Sequence, residues 1–329
     1  MAVVLMEGFD HVAANQTALK GWSASPTSMQ TGRFGGQAAE VSNLARTLSK
    51  LLPSTYATLI AGCAVKVSNV TSALDFFQLR AGATATVRIS CNASGQIQVR
   101  NSGGTIIATG TTVLVSNAWN YIEVKAFING ASGTVEVHLN GAVEIASTTG
   151  NFGSTNLDTI ALIGNTSSVV TDWDDIYAAD TTGAAPRNTF LGDVRIATVM
   201  PTSDGAHSQW TPSTGTAHWS LVDETTPNDD TDYVSDATPG HYDTFGCGPI
   251  DTAATVFGVQ TNLYARKDDA AVRQIAPVIR QSGTDHDGAT VTLTSTYAFY
   301  TQLFNQDPTP ADWTPTTVNA DEYGVKEIA

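Results

Sequence analysis

The chain has 329 residues, room for about two domains of ordinary size, each able to bury a core without disulfides or metals. Only 14% of residues are charged, and 31 acidic against 16 basic side chains give a net charge of −15. Residues 1–185 hold 12 acids and nine bases and carry −3, so the remainder carries −12. A segment that acidic is repelled by phosphate backbones, which argues against nucleic-acid binding.

The opening Met-Ala-Val-Val-Leu-Met run has no basic n-region and is shorter than the roughly 7–15 apolar residues of a secretion signal. No stretch approaches the ~18 apolar residues of a membrane span. The expectation is a protein made in the cytoplasm without a signal peptide and with no membrane partner. Cys63, Cys91 and Cys247 lack metal-ligand spacing, and Cys63 and Cys91 could pair only if their strands were neighbours.

Between about residues 60 and 180 the chain alternates polar with apolar residues and is punctuated by turns, the pattern of antiparallel strands with one dry face. Thr86 to Ser90 and Gln96 to Arg100 flank the turn Asn92-Ala93-Ser94-Gly95 and would turn Val87, Ile89, Ile97 and Val99 inward. A run from Thr105 to Thr109 follows the turn at 101–104. Trp119 to Ile128 sets Ile122, Val124 and Ala126 against Tyr121, Glu123 and Lys125, and Thr134 to Leu139 answers with Val135, Val137 and Leu139. Asn140-Gly141 is a strong two-residue hairpin signal, with Ala142 to Ala146 returning.

The small-residue segment Thr181 to Pro186 reads as a linker. The expected domains are therefore residues 1–182 and an acidic, loop-rich antiparallel β domain over 187–329. In the second, Leu191 to Val199, Val256 to Arg266, Ala271 to Arg280, Ala289 to Thr294 and Tyr297 to Phe304 are strand candidates, the third also compatible with a short helix. Residues 201–249, rich in Pro, Asp, Thr and Gly, read as one long irregular loop, the kind that packs on something or carries function.

The first half resembles the laminin-G and concanavalin A-like jelly-roll superfamily. The resemblance is carried by Glu7-Gly8-Phe9-Asp10, by Thr31 to Ala38, by Trp119 to Val124 with Val135 to Gly141, and by Asp174-Asp175-Ile176-Tyr177. The second half resembles tailed-bacteriophage virion proteins, through Gly192 to Ile196, Pro201 to Gly205, Trp210 to Ser213, Ala265 to Asp268 and Trp313 to Val325. Together these imply an all-β virion protein: a decoration, collar, tail or fibre-associated subunit that contacts other virion proteins and further copies of itself. The alternative is a glycan-binding adhesin that attaches the particle to host-surface carbohydrate.

Asp172 and Asp174 are weak calcium candidates, because concanavalin-like lectins hold Ca²⁺ through loop carboxylates. Strand alternation would place Asp174 and Asp175 on opposite faces, so no cofactor is expected. The Glu-x-Asp-x-x-Glu pattern of jelly-roll glycosidases is missing, and Glu123 and Glu136 read as lone surface acids. The expectation is accordingly a protein without catalytic activity. Trp210, Trp219, Tyr233 and Tyr242, inside the long acidic loop, are the candidate interaction residues, since such side chains bury much area at low entropic cost.

Overall fold

A computed structural model describes residues 3–42, 46–165 and 168–329. The chain divides into two compact units: the chain up to Asp10 with Ala14–Ile196, and His11–Ala13 with Ala197–Ala329. Residues 187–196, placed in the second domain by the sequence reading, therefore belong to the first unit.

Among the described residues the first unit has 14 strands. They are β1 (Val3–Glu7), β2 (Ser28–Thr31), β3 (Gln37–Glu40), β4 (Thr47–Tyr56), β5 (Thr58–Val67), β6 (Leu74–Ala81) and β7 (Thr84–Cys91). After these come β8 (Gln96–Asn101), β9 (Ile106–Val113), β10 (Trp119–Phe127), β11 (Gly133–Leu139), β12 (Ala142–Gly150), β13 (Leu157–Ile163) and β14 (Thr171–Ala179). One sheet runs β12-β11-β10-β5-β14-β3-β2, with β1 also on β14; the other runs β4-β13-β6-β7-β8-β9. Every pairing is antiparallel. The two antiparallel sheets make a β-sandwich, an all-β fold.

The register follows from the alternation. Ile89 faces Val99 and Cys91 faces Ile97 across β7 and β8, and Val87, Ile89, Ile97 and Val99 are fully buried. Leu139 pairs with Ala142, so Asn140 (φ 50°) and Gly141 (φ 80°) are the two left-handed residues of the tight turn. Trp173 of β14 meets Phe77 of β6 at 6.4 Å between ring centroids, joining the sheets through the core. Cys63 and Cys91 lie in different sheets, and both are free thiols.

At one margin, Glu144 of β12 reaches to the outer strand of the other sheet and accepts the N–H groups of Thr111 (2.5 Å) and Thr112 (2.8 Å) of β9. At the opposite end of the sandwich, the Glu7 carboxylate is enclosed. It accepts from Lys20 Nζ (2.9 Å), Trp22 Nε1 (3.1 Å) and the Phe9 N–H (3.2 Å).

In the second unit, β15 (Pro201–Ser208), β16 (Thr211–Pro212), β17 (Val234–Ser235), β18 (Tyr242–Cys247), β19 (Val259–Ala265) and β20 (Gln274–Gln281) come first. β21 (Thr284–Asp287), β22 (Val291–Thr292), β23 (Ala298–Phe304), the short helix α1 (Pro315–Ala320) and β24 (Glu322–Glu327) complete it. A sheet β15-β18-β24-β20-β21, with β22 also on β20, is accompanied by the two-stranded pairs β16-β17 and β19-β23.

Two expectations need correction here, and one choice left open is decided. Residues 201–249 are not one irregular loop, because β15 and β18 pair with each other inside it. β15 is an exposed edge strand with hardly a buried residue, so it lacks the apolar alternation that marks a half-buried strand. The region Ala271 to Arg280 yields a strand, β20, and no helix. Leu191 to Val199 forms no strand at all.

Replacing Lys20 by Met removes the ammonium that pairs with the enclosed Glu7 carboxylate. Truncating one partner of such a pair costs about 3–5 kcal/mol. Urea unfolding of Lys20→Met, followed by far-ultraviolet circular dichroism, is expected to show a loss of that size.

Candidate functional site

The outward face of the eight-stranded sheet is built at the crossing of β10, β5, β14 and β11. Glu123 stands opposite Gly62 on one side and His138 on the other, and Tyr177 of β14 also stands opposite Gly62. Gly62 is required there, because a Cβ would overlap the Tyr177 ring and press on the Tyr121 hydroxyl. The tyrosines therefore lie down on the sheet beside Glu123. All three are about 1% exposed.

What covers them is the chain's own segment 187–196, which runs irregularly across the face as a strap. The Tyr177 hydroxyl donates to Glu123 Oε1 at 2.5 Å and accepts the Leu191 N–H at 3.2 Å. The same Glu123 oxygen accepts the Gly192 N–H at 2.9 Å. Phe190 stacks on His138, with centroids 3.9 Å apart, and His138 in turn meets Glu136 at 3.0 Å. Leu191 and Val194 pack on Ile60, Ala64, Tyr121 and Tyr177. Glu123 is thus no lone surface acid. Burial raises its pKa, against the hydrogen bonds from Tyr177 and Gly192 that lower it.

At the far end of the strap β14 changes register between Asp174 and Tyr177, and Asp175 sits at φ 50°. This bulge adds a residue to the strand and breaks the alternation. Asp174 and Asp175 consequently face the same arginine, against the sequence expectation of opposite faces. The Arg33 N–H donates to Asp174 Oδ2 (2.8 Å), while its guanidinium lies 3.6 Å from Asp175 Oδ2 and donates to the Val194 carbonyl (3.3 Å). It also pairs with Asp193, and Asp175 Oδ1 accepts the Ile196 N–H at 2.7 Å.

Burial raises Asp174 to about 7, helped by the Asp175 charge. Asp175 is raised by burial to about 6, against hydrogen bonding from Ile196 and the charge of Arg33. Of the two calcium candidates, Asp172 pairs with Lys66 Nζ at 2.8 Å and Asp174 holds the Arg33 backbone. The two are not brought onto a common ion, and among the described residues no three His, Cys, Asp or Glu side chains are arranged to hold a metal.

The four aromatic candidates separate. Trp210 and Tyr233 line a half-open cavity of about 330 Å³ within the second unit, together with Phe245, Tyr264, Tyr297 and Phe299. Its wall also carries Glu224, Asn228, Asp229 and Asp232. Asn228 Nδ2 donates to Glu224 (3.0 Å) and Asp232 (2.5 Å), and the Tyr264 hydroxyl donates to Asp229 at 2.7 Å. Burial raises the Glu224 pKa, and the neighbouring Asp232 adds to this.

Trp219 and Tyr242 lie outside the cavity lining. The Trp219 backbone N–H donates to Asp204 Oδ1 at 2.7 Å, and the Tyr242 ring stacks on His207 under the Lys326 ammonium. The sequence reading missed Tyr264, Tyr297 and Phe299. These stand on β19, just before β23 and on β23, where the aromatic content of paired strands was their one available signal.

Comparison of the sequence with protein-family models and with curated proteins gives no match. Solved structures resemble the sandwich. Domain 4 of AbnA, an extracellular arabinanase from Geobacillus stearothermophilus in complex with arabinotriose, is 16% identical, with a TM-score of 0.38 over 54% of this chain and 93% of that one. The transglycosylase Crh5 gives 13%, 0.38, 54% and 84%, and the Caenorhabditis elegans galectin LEC-6 gives 12%, 0.30, 43% and 95%.

Such likenesses speak to the fold alone. They also correct one expectation. Most of the similar structures are enzymes by name, among them alginate lyases and sialidases. The sandwich therefore gives no ground for a protein without catalytic activity, and that expectation is withdrawn. The missing Glu-x-Asp-x-x-Glu pattern removes one site geometry only. No helix among the described residues is long and apolar enough to cross a membrane.

The pKa directions fix how stability follows pH. An aspartate whose folded pKa lies above its unfolded value of about 3.9 favours the folded state while protonated. That advantage fades as pH rises from about 4 and is gone above about 7. The first unit's melting temperature is therefore expected to fall between pH 5 and pH 8, and Asp174→Asn is expected to flatten the slope. A calorimetric scan at the two pH values reads both.

Glu123→Ala would leave the Tyr177 hydroxyl and the Gly192 N–H buried without their acceptor, at about 1–3 kcal/mol. The expected readout is faster amide hydrogen exchange at residues 190–196.

Proposed function

We propose that this chain is a glycan-binding component of a bacteriophage particle, which attaches the particle to host-surface carbohydrate through the cavity of its second unit. The observation that carries the reading is that cavity. Its volume falls in the usual range for small-ligand sites, about 300–1,000 Å³, and its wall joins aromatic rings to carboxylate and amide groups. Aromatic faces stack on the C–H faces of a sugar ring, while carboxylates and amides bond its hydroxyls. Tyr233, 40% exposed, and the exposed Asp229 mark the open side.

In the first unit the corresponding place is filled. The strap lies over Glu123, Tyr177 and His138 and leaves the sheet face as scaffold in this conformation. The virion setting rests on the sequence resemblance of residues 192–205, 210–213, 265–268 and 313–325. It entails contacts with other virion proteins and with further copies of the chain.

Two measurements test the reading. Cryo-electron microscopy of the source particle is expected to show density for this chain, and a particle without it removes the virion setting. In titration calorimetry against host-surface oligosaccharides, Trp210→Ala and Tyr233→Ala are each expected to weaken binding about tenfold, which is about 1.4 kcal/mol and in line with the loss of an aromatic anchor. Trp219→Ala, outside the cavity, is expected to bind as the unaltered chain does.

A further inference from the structure

We propose that the cavity of the second unit selects a glycan bearing a positive charge, either an amino sugar or a sugar substituted with a quaternary ammonium group. The inference rests on the glycan reading above and adds the charge.

The second unit repeatedly couples a tyrosine ring to an aspartate and sets a cation between them. The Arg266 guanidinium lies 5.3 Å from the Tyr297 ring centroid and donates to Asp230 at 2.8 Å, the same oxygen that accepts the Tyr297 hydroxyl at 2.8 Å. The Lys326 ammonium lies 4.7 Å from the Tyr242 centroid and pairs with Asp287.

The cavity wall repeats the combination on a larger scale, with Trp210, Tyr233 and Tyr264 beside Glu224, Asp229 and Asp232. No lysine or arginine is among its lining residues. Ring faces attract a cation by about 0.5–2 kcal/mol each, more where water is excluded. A nearby carboxylate adds to that attraction. Glu224 and Asp232 are held close by the shared amide of Asn228. Two acids so placed repel each other when both are ionised, and a cation between them relieves the repulsion. A uronate or sialate would meet three carboxylates with no lysine or arginine to offset them.

The experiment compares four probes at about pH 6.5 by the quenching of tryptophan fluorescence and by calorimetry. The probes are a glucosamine trimer, its N-acetylated counterpart, a galacturonate trimer and tetramethylammonium chloride. The glucosamine trimer is expected to bind at least about tenfold more tightly than the acetylated one and to weaken as salt is raised. The galacturonate trimer is expected not to bind. Glu224→Gln with Asp232→Asn is expected to level the two glucosamine series, and Trp210→Ala to lose both. Glu224→Gln alone, expected to narrow the gap, serves if the double variant fails to fold.

Equal or tighter binding of the acetylated or the galacturonate trimer overturns the charge selectivity and leaves the glycan reading standing. Binding of tetramethylammonium with no binding of any sugar overturns the glycan reading and leaves the cation preference. Silence of all four probes overturns both.

Discussion

A carboxylate taken out of water needs hydrogen bonds to replace hydration, and the first unit is organised around meeting that need at one oxygen of Glu123. Its Oε1 receives the Tyr177 hydroxyl and the Gly192 N–H, one donor from the sheet and one from the strap. The strap can therefore leave only by stranding a buried acid, and the acid can stay buried only while the strap is seated. Gly62 makes room for the tyrosines. The bulge at Asp175 then turns an acceptor toward the Ile196 N–H, while Arg33 grips Val194 and Asp193. Side chains of the sheet thus bind the backbone of an irregular segment that has no ladder of its own.

The second unit uses a related device on its acidic loop. Asp229 and Asp230 anchor that loop to Tyr264, Tyr297 and Arg266, which carries Tyr233 and Asp232 to the cavity wall. The excess of negative charge in this half is therefore partly structural: carboxylates that tether the loop stand beside carboxylates that face the cavity.

The sandwich was readable because its strands are half-buried, so that Val87, Ile89, Ile97 and Val99 or Ile122 and Val124 recur at every second position. The Asn140-Gly141 turn was readable because few residue pairs adopt two successive left-handed conformations. The same logic hid the site. Glu123 occupies an outward position, and alternation assigns outward acids to solvent. Only the strap, nearly 70 residues further along the chain, buries it. Asp174 and Asp175 were separated by a rule that holds for regular strands and fails at a bulge. β15 was taken for loop because an exposed edge strand carries no apolar signal. Of the four aromatics picked from the long loop, Trp210 and Tyr233 reach the cavity, whereas Trp219 and Tyr242 pack elsewhere. Sequence spacing does not distinguish these cases, because strand pairing at β15 and β18 decides which way the loop folds back.

The bridge from Glu144 to Thr111 and Thr112 bears on how many copies can share a small volume. Outer strands with unpaired amides are templates for another chain's strand, and β9 is uncharged along its whole length. By occupying two of those amides with a carboxylate from its own other sheet, the molecule satisfies part of that edge internally and places a negative charge beside it. Neighbouring copies approaching along this margin would meet a charged seam where a free strand edge would otherwise invite them to fuse. For a protein gathered at high local density, that separates orderly side-by-side packing from sheet-to-sheet polymerisation.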